Sequence, residues 1–486
     1  MKKNILYCIV IILDMIATNA SNAQNGNIWY FGDSAGISFN SGLPVALTDD
    51  GALNSIECSS SICDSNSNLQ FYAGSKNNSA LYITSFNRQH QIMLNGDSIV
   101  GNYSITQGAL ILPYPDNPNK YLLFSIGTTD LAPVNHLTYS VIDMSLGSGL
   151  GSVTQKNTVL ADTVTEKMIA VRHANGRDWW VIAHKDNSNE YMTFLVEPSG
   201  ISGPFIQSTG TVLGGFDLIG QMAISEDGSK LCLVGASGVL EISDFDRCTG
   251  IISNLQSIAE ISPIQQYYGC SFSPNGTRLY VSVLDTLFQY DLTASNIRNS
   301  KQVIFVIHPS YGIGQHKIFN GKIYIVSTYG TFPNSVYDSI DLNLSVINDP
   351  DSLGFGCHYM PYSIYLGGRR CLGGLPNNPN YRLGALMGSL CDTLDIGGIN
   401  AIRKDDFVVD LYPNPNNGNF ILTYHLKTKA NFIIQDLVGR TVFSKHLDGF
   451  NGSETIFSSN LCNNIYFWEV IADHEISVAR KIAVIK

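Results

Sequence analysis

Short strand-like stretches separated by polar turns recur along most of the chain. The pattern is clearest in Gly269–Ser282, where two such stretches flank Asn275-Gly276. Asn-Gly favours a two-residue β-hairpin turn, because both positions tolerate a positive φ. The pattern therefore predicts a strand, a tight turn at Asn275-Gly276 and a second strand.

The same strand–turn–strand pattern occurs six times in the chain. The copies begin at Ser60, Ala109, Met168, Gly220, Gly269 and Lys317. They are spaced by about 45 to 60 residues, which is the range of four-stranded propeller blades. Each copy is followed by further strand-like sequence, such as Gly238–Ile242. A single four-stranded sheet cannot bury both of its faces, so such repeats stack in a ring. We therefore predict an all-β protein with a β-propeller over residues 24–391.

The sequence indicates the number of blades less directly than it indicates the propeller fold. A weaker seventh copy is Phe355–Leu366, which lacks a hairpin turn of the same kind. The strand-like Asn27–Phe31 also has no hairpin of its own. We predict seven blades, with Asn27–Phe31 completing the last blade and closing the ring; six or eight blades are the alternatives.

The first residues have the pattern of a secretory signal peptide. Lys2 and Lys3 form the basic region, Ile5–Ile16 forms the apolar core, and cleavage is expected after Ala23. The apolar run is too short for a typical membrane anchor, and no other segment is long and apolar enough to span a bilayer. Residues 1–23 are therefore predicted to be a signal peptide, and the mature chain is expected to have no transmembrane segment.

Composition narrows the possible partners. Charged residues make up 14% of the 486 residues, and the 44 glycines suit short strands joined by tight turns. The formal net charge is −11. Residues 400–486 contain nine basic and nine acidic side chains, so the excess negative charge lies in the first part. This distribution argues against a nucleic-acid partner.

The cysteines suggest disulfides more than metal binding. Nine cysteines remain after signal cleavage, so at least one stays unpaired in an oxidising compartment. Cys58 and Cys63 lie five residues apart, which places them on opposite faces of an unbroken strand. Cys357 and His358 are merely adjacent. No metal site and no cofactor are predicted.

One motif superficially indicates catalysis. Gly32–Gly36 matches the G-x-S-x-G pattern of serine hydrolases, with Ser34 in the place of the nucleophile. That motif requires a strand before it and a helix after it, whereas the strand-like Ile37–Asn40 follows here. We interpret the segment as a glycine-rich hairpin, and we predict no catalytic residue.

Other polar residues have both a functional and a structural interpretation. His173 and His184 flank one hairpin beside Arg172 and Lys185; they either face a central channel or are ordinary polar strand positions. Asp244–Gly250 is either a local acidic site or a polar turn, and the turn is favoured. Trp179-Trp180 is interpreted as packing within a blade, with a sugar-binding platform as the alternative.

The repeat pattern stops near Gly397-Gly398. Residues 392–406 are predicted to be a linker. Several alternating strands follow, so residues 407–486 are predicted to form a small Ig-like antiparallel β-sandwich.

Three motifs in this tail resemble those of a known family. They are Tyr412-Pro413-Asn414-Pro415 with Gly418, then Asp436-Leu437 with Gly439-Arg440, and a terminal strand that begins at Lys481. In this order they resemble the C-terminal sorting domain, type A, of type IX secretion cargo. The resemblance implies export through the type IX secretion machinery by way of residues 407–486. It also implies a location outside the cell or on the outer-membrane surface of a Gram-negative bacterium.

The predicted propeller also resembles the WD40-like (PD40-type) propellers of such cargo. The resemblance is carried by Asn27–Gly32, Asn87–Met93 and Phe272–Gly276. It implies a fold and no particular reaction. Our leading hypothesis is a non-catalytic binding protein with a protein or glycan ligand on the propeller face.

Two further hypotheses remain open. The first is a propeller lyase or glycoside hydrolase with a site in the central channel. Two or more carboxylates or histidines with a cation at one mouth of the channel would favour it. The second is a scaffold role in adhesion or gliding.

Overall fold

The structure is a computed structural model. It describes residues 25–49, 51–128, 135–260, 265–307, 311–329, 340–389, 391–392, 408–412, 416–426, 429–436, 439–448, 451–458, 461–472 and 475–484. One compact unit comprises residues up to 171 together with 179–383; the other comprises residues 172–178 and 384–486. The predicted signal peptide and residues 393–406 of the predicted linker lie outside the described residues.

The described part of residues 25–365 forms one three-stranded and six four-stranded antiparallel sheets, each of which pairs consecutive strands. Sheet 1 contains Ile28–Phe31, Ala35–Ser38 and Val45–Leu47; sheet 2 contains Ser59–Cys63, Leu69–Gly74, Tyr82–Asn87 and Ile99–Val100; sheet 3 contains Ala109–Pro113, Lys120–Thr128, Asn135–Asp143 and Ser152–Asp162. Sheet 4 contains Val164–Arg172, Trp179–Lys185, Ser188–Glu197 and Gly200–Leu213; sheet 5 contains Met222–Ile224, Lys230–Val234, Leu240–Phe245 and Ile252–Ser257. Sheet 6 contains Tyr267–Phe272, Arg278–Val283, Thr286–Asp291 and Gln302–Val306; sheet 7 contains Tyr311–Phe319, Lys322–Tyr329, Asn343–Ile347 and Tyr359–Tyr365.

The helical content of the described residues consists of four short 3₁₀ helices, at Gly147–Gly149, Gly215–Leu218, Arg298–Ser300 and Gly354–Cys357. The prediction of an all-β, propeller-like fold is therefore confirmed. Each of the six repeat copies identified in the sequence supplies strands to a different four-stranded sheet.

The predicted turn geometry is wrong at Asn275-Gly276. Gly276 has a φ of 70°, but Asn275 does not have a positive φ. Ser273 N–H donates to the Arg278 carbonyl at 2.9 Å, so the loop contains four residues rather than two. The Asn275 side chain explains the difference, because its Oδ1 accepts the Thr277 N–H at 2.9 Å and caps a longer turn.

A two-residue turn of the expected kind occurs elsewhere. Asn320 and Gly321 have φ values of 51° and 74°, and Phe319 pairs directly with Lys322. The Asn-Gly prediction therefore holds for this hairpin. The neighbouring side chains, and not the dipeptide alone, decide which turn forms.

Hydrophobic clusters join each sheet to the next. Sheets 1 and 2 share one cluster, sheets 2, 3 and 4 share the largest, and three more join sheets 4 and 5, 5 and 6, and 6 and 7. A further cluster joins sheet 7 to sheet 1; in it Trp29 lies 5.5 Å from Tyr324 between ring centroids. The apolar cores therefore link the first sheet to the last.

The predicted role of Asn27–Phe31 is wrong. Ile28–Phe31 pairs with Ala35–Ser38 in sheet 1, and sheet 7 consists of its own four strands. Because a short turn separates these two strands, they pair with each other and satisfy their backbone hydrogen bonds locally. Phe355–Leu366 is likewise not a separate repeat, since it supplies a 3₁₀ helix and the fourth strand of sheet 7.

The tail forms two antiparallel sheets around one core. The first contains Val408–Tyr412, Asn419–His425 and Asn451–Phe457. The second contains Thr441–Leu447, Ala430–Gln435, Asn464–Ala472 and Glu475–Val484. Leu422 of the first sheet and Trp468 of the second belong to the same buried cluster.

Candidate functional site

A segment without regular secondary structure runs across the first strands of the sheets. We call Cys371–Tyr381 the strap; Cys371 to Pro376 are all buried. The first strands of sheets 1 and 2, 2 and 3, 5 and 6, and 6 and 7 lie next to one another. The strap bonds to several of these first strands, as described below, and we call the region where they meet the centre.

The glycine pair of the strap makes close backbone contacts with sheets 2 and 7. Gly373 N–H donates to the Ile56 carbonyl at 3.0 Å, and the Gly373 carbonyl accepts the Gln315 N–H at 3.2 Å. A Cβ at Gly374 would lie 2.4 Å from the Glu57 Cα. Glycine is required here because the strap backbone lies directly against the backbone of Glu57.

Two asparagines attach the middle of the strap to several sheets. The Asn377 backbone N–H donates to the Ser59 carbonyl at 2.9 Å, and its side-chain amide donates to the Met168 carbonyl at 2.8 Å. Asn378 Oδ1 accepts both the Ser60 hydroxyl and the Ser61 N–H at 3.0 Å. These bonds connect the strap to sheets 2 and 4.

Three buried glutamines extend this network across the centre. Gln107 Nε2 donates to Asn377 Oδ1 at 3.3 Å and to the Met222 carbonyl at 3.0 Å. Gln315 Oε1 accepts the Leu375 N–H at 2.8 Å. Gln221 Nε2 donates to the His316 carbonyl at 3.2 Å. Direct amide bonds therefore link strands of sheets that are not neighbours along the chain.

Next to the glycine pair lies a cluster of two carboxyl groups and a phenol. The Thr106 N–H and hydroxyl donate to Glu166 Oε2 at 3.0 and 2.9 Å. The Tyr268 hydroxyl donates to Glu57 Oε1. These residues come from the starts of sheets 2, 3, 4 and 6, and together we call them the carboxyl cluster.

Burial changes the acidity of this cluster. Glu57, Glu166 and Tyr268 retain part of their accessible surface, yet removal from bulk water is the leading cause of the shift in each. Desolvation, followed by the charge of Glu166, raises the pKa of Glu57 to about 8. Desolvation also raises the pKa values of Glu166 and Tyr268. At neutral pH Glu57 therefore holds its proton.

A buried cation follows Glu166 directly in the chain. The Lys167 ammonium donates to the carbonyls of Leu218, Ile219 and Gly220 at 3.3, 2.8 and 3.0 Å. Desolvation lowers the pKa of Lys167 to about 7, while the charge of Glu166 opposes the shift. The centre thus combines two carboxyl groups with an amine that titrates near neutrality.

His184 and Lys185 occupy structural positions. His184 is buried against Tyr191, with 4.6 Å between ring centroids, and burial lowers the pKa of His184 to about 4. Lys185 pairs with Glu190 at 2.7 Å. In the second unit, the His173 ring accepts the Asn175 N–H at 3.1 Å, and Arg172 donates to the Arg177 carbonyl at 2.9 Å. These contacts agree with ordinary polar positions in a hairpin.

The tryptophans and Ser34 also have structural positions. Trp179 is fully buried in the cluster of sheets 2 to 4, and Trp180 lies in the cluster of sheets 4 and 5. Both positions agree with packing. Ser34 lies in the turn between two strands, with a φ of 59°, and its N–H donates to the Leu53 carbonyl at 2.8 Å. The hairpin interpretation of the G-x-S-x-G segment is therefore confirmed.

Asp246–Gly250 forms a polar turn that follows the strand residues Asp244 and Phe245, in agreement with the interpretation from the sequence. Asp246 Oδ1 accepts the Cys248 N–H at 2.8 Å, and Asp244 pairs with Lys230 at 3.1 Å. Within the described ranges, no group of three or more His, Cys, Asp or Glu side chains could hold a metal ion. Cys248 and Cys391 each take part in a disulfide, whereas Cys58, Cys63 and Cys357 are buried free thiols.

The structure brings part of the first tail motif close to the last strand. Tyr412 ends the first strand of the tail opposite Ile421. Gly418 N–H donates to Asn416 Oδ1 at 2.8 Å, and Asn416 forms a parallel bridge with Val484. Lys481 lies in the last strand, where its backbone pairs with that of Phe467 in the preceding strand.

The second tail motif forms its own hairpin. The Arg440 guanidinium contacts the Asp436 carboxylate at 2.7 Å, and Gly439 has a φ of 82°. The Asp436 N–H also donates to the Arg440 carbonyl at 2.9 Å. Pro413, Asn414, Pro415 and Leu437 lie outside the described residues.

The tail matches a known family. Residues 410–486 match the family described as the secretion system C-terminal sorting domain. The chain therefore carries a type IX sorting domain and is cargo that is secreted or displayed on the outer-membrane surface. No helix among the described residues has the length and apolar character needed to cross a membrane.

Several solved structures are similar to the chain. A candidate 6-phosphogluconolactonase from Bacteroides fragilis shares 11% identity with a TM-score of 0.45, covering 74% of this chain and 99% of that one. One from Bacteroides uniformis shares 14% with a TM-score of 0.40, covering 64% and 95%. PorZ, a surface component of the type IX secretion system of Porphyromonas gingivalis, shares 10% with a TM-score of 0.30, covering 95% and 74%. With TM-scores below 0.5, these likenesses carry no functional argument. No curated protein matches the chain.

Sequence reasoning missed the strap and the carboxyl cluster. Glu57, Thr106, Glu166 and Tyr268 are spread over more than two hundred residues, so no local motif marks them. The position of these residues within the repeats could have indicated them. Each of these residues lies at or just before the first strand of a predicted repeat, and those strand starts lie close together in the structure.

Proposed function

We propose that this protein is a non-catalytic binding protein of the cell surface or the surrounding medium. Its body is a closed seven-bladed β-propeller over residues 24–391, followed by a linker and an Ig-like β-sandwich. The sorting domain at residues 410–486 carries the proposal, because it directs the chain outside the cell. The cycle of hydrophobic clusters from sheet 1 to sheet 7 and back supports the closed ring.

The strap supports a ligand site on the outer surface rather than in the centre. Its buried backbone and the glutamine network fill the space that an open propeller channel would offer. A protein or glycan ligand would then contact the loops at one end of the ring. The sorting tail would bind the type IX machinery through residues 407–486.

A binding screen tests this proposal. The mature protein, from residue 24 onward, is applied to arrays of extracellular-matrix proteins and glycans, with the separately expressed tail as the control. We expect saturable binding that requires the propeller. If neither array yields binding above the tail control, the proposed binding function is contradicted.

A second candidate function is catalysis at the carboxyl cluster. It is favoured by Glu57 and Glu166, which have raised pKa values, beside the buried cation Lys167. The protonated Glu57 carboxyl can act as the acid for glycoside cleavage, and Glu166 is the second carboxyl group that such a reaction requires. Hydrolysis or elimination on oligosaccharide panels would support this function, provided that Glu57→Gln and Glu166→Gln abolish it. Glu190→Gln is the control, because Glu190 pairs with Lys185 away from the cluster. An equal loss in all three variants would contradict the assignment.

A further inference from the structure

The strap contacts more sheets than any single hydrophobic cluster does. Its backbone or side chains bond to residues in or just before the first strands of sheets 2, 4 and 7, as described above. Two further bonds extend it: the Tyr381 hydroxyl donates to the Ile111 carbonyl of sheet 3 at 2.7 Å, and the Asn380 amide donates to the Glu226 carbonyl beside sheet 5 at 3.1 Å. The strap therefore joins five sheets directly.

The residue before the strap extends this attachment to sheet 1. The Arg370 carbonyl accepts the Asp33 N–H at 2.9 Å, and its guanidinium pairs with the buried Asp341 carboxylate at 2.6 Å. Sheet 6 differs, since no described hydrogen bond of the strap reaches it. The hydrophobic clusters join mainly neighbouring sheets, whereas the strap joins sheets on opposite sides of the centre.

We propose that the strap is a central lock, which couples the first strands of the sheets and makes the ring one cooperative unit. A ring held by neighbour contacts alone resembles a linear repeat array, in which local opening spreads only to adjacent repeats. A central segment that bonds to five sheets couples their inner strands. Loss of the strap then weakens all of these strands together, regardless of sequence distance.

The bonds of Asn378 provide the test. Asn378→Ala removes the acceptor of the Ser60 hydroxyl and the Ser61 N–H, both of which are buried. Asn68→Ala is the matched control, because Asn68 lies at the surface and bonds to Asp64 at 3.1 Å. Val281→Ala is a second control, since it creates a cavity in sheet 6, to which no described hydrogen bond of the strap runs.

Hydrogen exchange of the full chain, followed by mass spectrometry, distinguishes the outcomes. We expect Asn378→Ala to speed exchange about tenfold in the first strands of sheets 2, 3, 4, 5 and 7 together, from the loss of buried hydrogen bonds. Asn68→Ala should change none of them, and Val281→Ala should act mainly on sheets 5 to 7. The proposal is overturned if Asn378→Ala affects sheet 2 alone, or if Val281→Ala speeds all the first strands equally. Should Asn378→Ala not fold, Asn380→Ala provides the same comparison, because it removes the bond to the Glu226 carbonyl together with the acceptor of the Arg382 N–H.

Discussion

Replacing Glu57 by glutamine should change how stability depends on pH. The Glu57 carboxyl has a pKa of about 8 in the folded protein, against an ordinary value of 4.5. The folded state therefore holds a proton that the unfolded state releases between these values. The wild type is thus stabilised below about pH 4.5 and loses this stabilisation as the pH rises through about 8.

The structure sets the size of the effect. Each pKa unit corresponds to about 1.4 kcal/mol, which gives an upper limit near 5 kcal/mol for Glu57. Glu57 keeps part of its surface accessible to water, which screens its charge, so we expect about 1–3 kcal/mol. Glutamine keeps an oxygen to accept the Tyr268 hydroxyl but cannot ionise. Relative to the wild type, Glu57→Gln should gain this amount between pH 5 and pH 8.5.

Denaturant unfolding of both proteins at several pH values measures this difference. The stabilities of the two proteins must be compared at each pH, because the contribution of Lys167 to stability changes with pH in the opposite direction. Its pKa is lowered to about 7, so its contribution is present at high pH and is lost as the pH falls through about 7. Glu190→Gln is the control, since the Lys185 contact lowers the pKa of that exposed carboxyl. A difference between Glu57→Gln and wild type that stays constant from pH 5 to pH 8.5 would refute the reasoning.

Three further substitutions test other parts of the structure. Arg370→Ala should cost about 3–5 kcal/mol in denaturant unfolding because it leaves the Asp341 carboxylate buried beside an empty position; unchanged stability would contradict the importance of this pair. Trp179→Ala should cost about 3–5 kcal/mol through a cavity between sheets, and a loss below 1 kcal/mol would contradict its burial. Lys167→Met should gain stability relative to the wild type as the pH falls from 10 to 6, because it removes the cost of burying an ammonium group; a constant difference would contradict the lowered pKa.

The repeat and the tail were accessible from the sequence because their signals are local. Strand alternation and Asp-Gly or Asn-Gly turns lie within about fifteen residues of each other, and the tail motifs are contiguous. The predicted assignment of strands to sheets was partly wrong because local signals do not show which strands pair. Nothing within Ile28–Phe31 indicates that its partner is the next strand, Ala35–Ser38, rather than a strand of the last sheet.

The strap could not be predicted in this way. Its glycine, proline and asparagine content is typical of a surface loop, since these residues usually mark turns. Here the glycines allow close backbone contact with Glu57, and the asparagines satisfy buried groups of distant strands. Such a role depends on several repeats at once, because the partners lie at the starts of sheets 2 and 4.

Fractionation of cells that express the full chain or a chain lacking residues 407–486 tests the central claim most directly. The full chain should be recovered from the cell surface or the medium, and the shortened chain should accumulate in the periplasm. A shortened chain that reaches the exterior as efficiently as the full chain would contradict the assignment of the tail as the export signal.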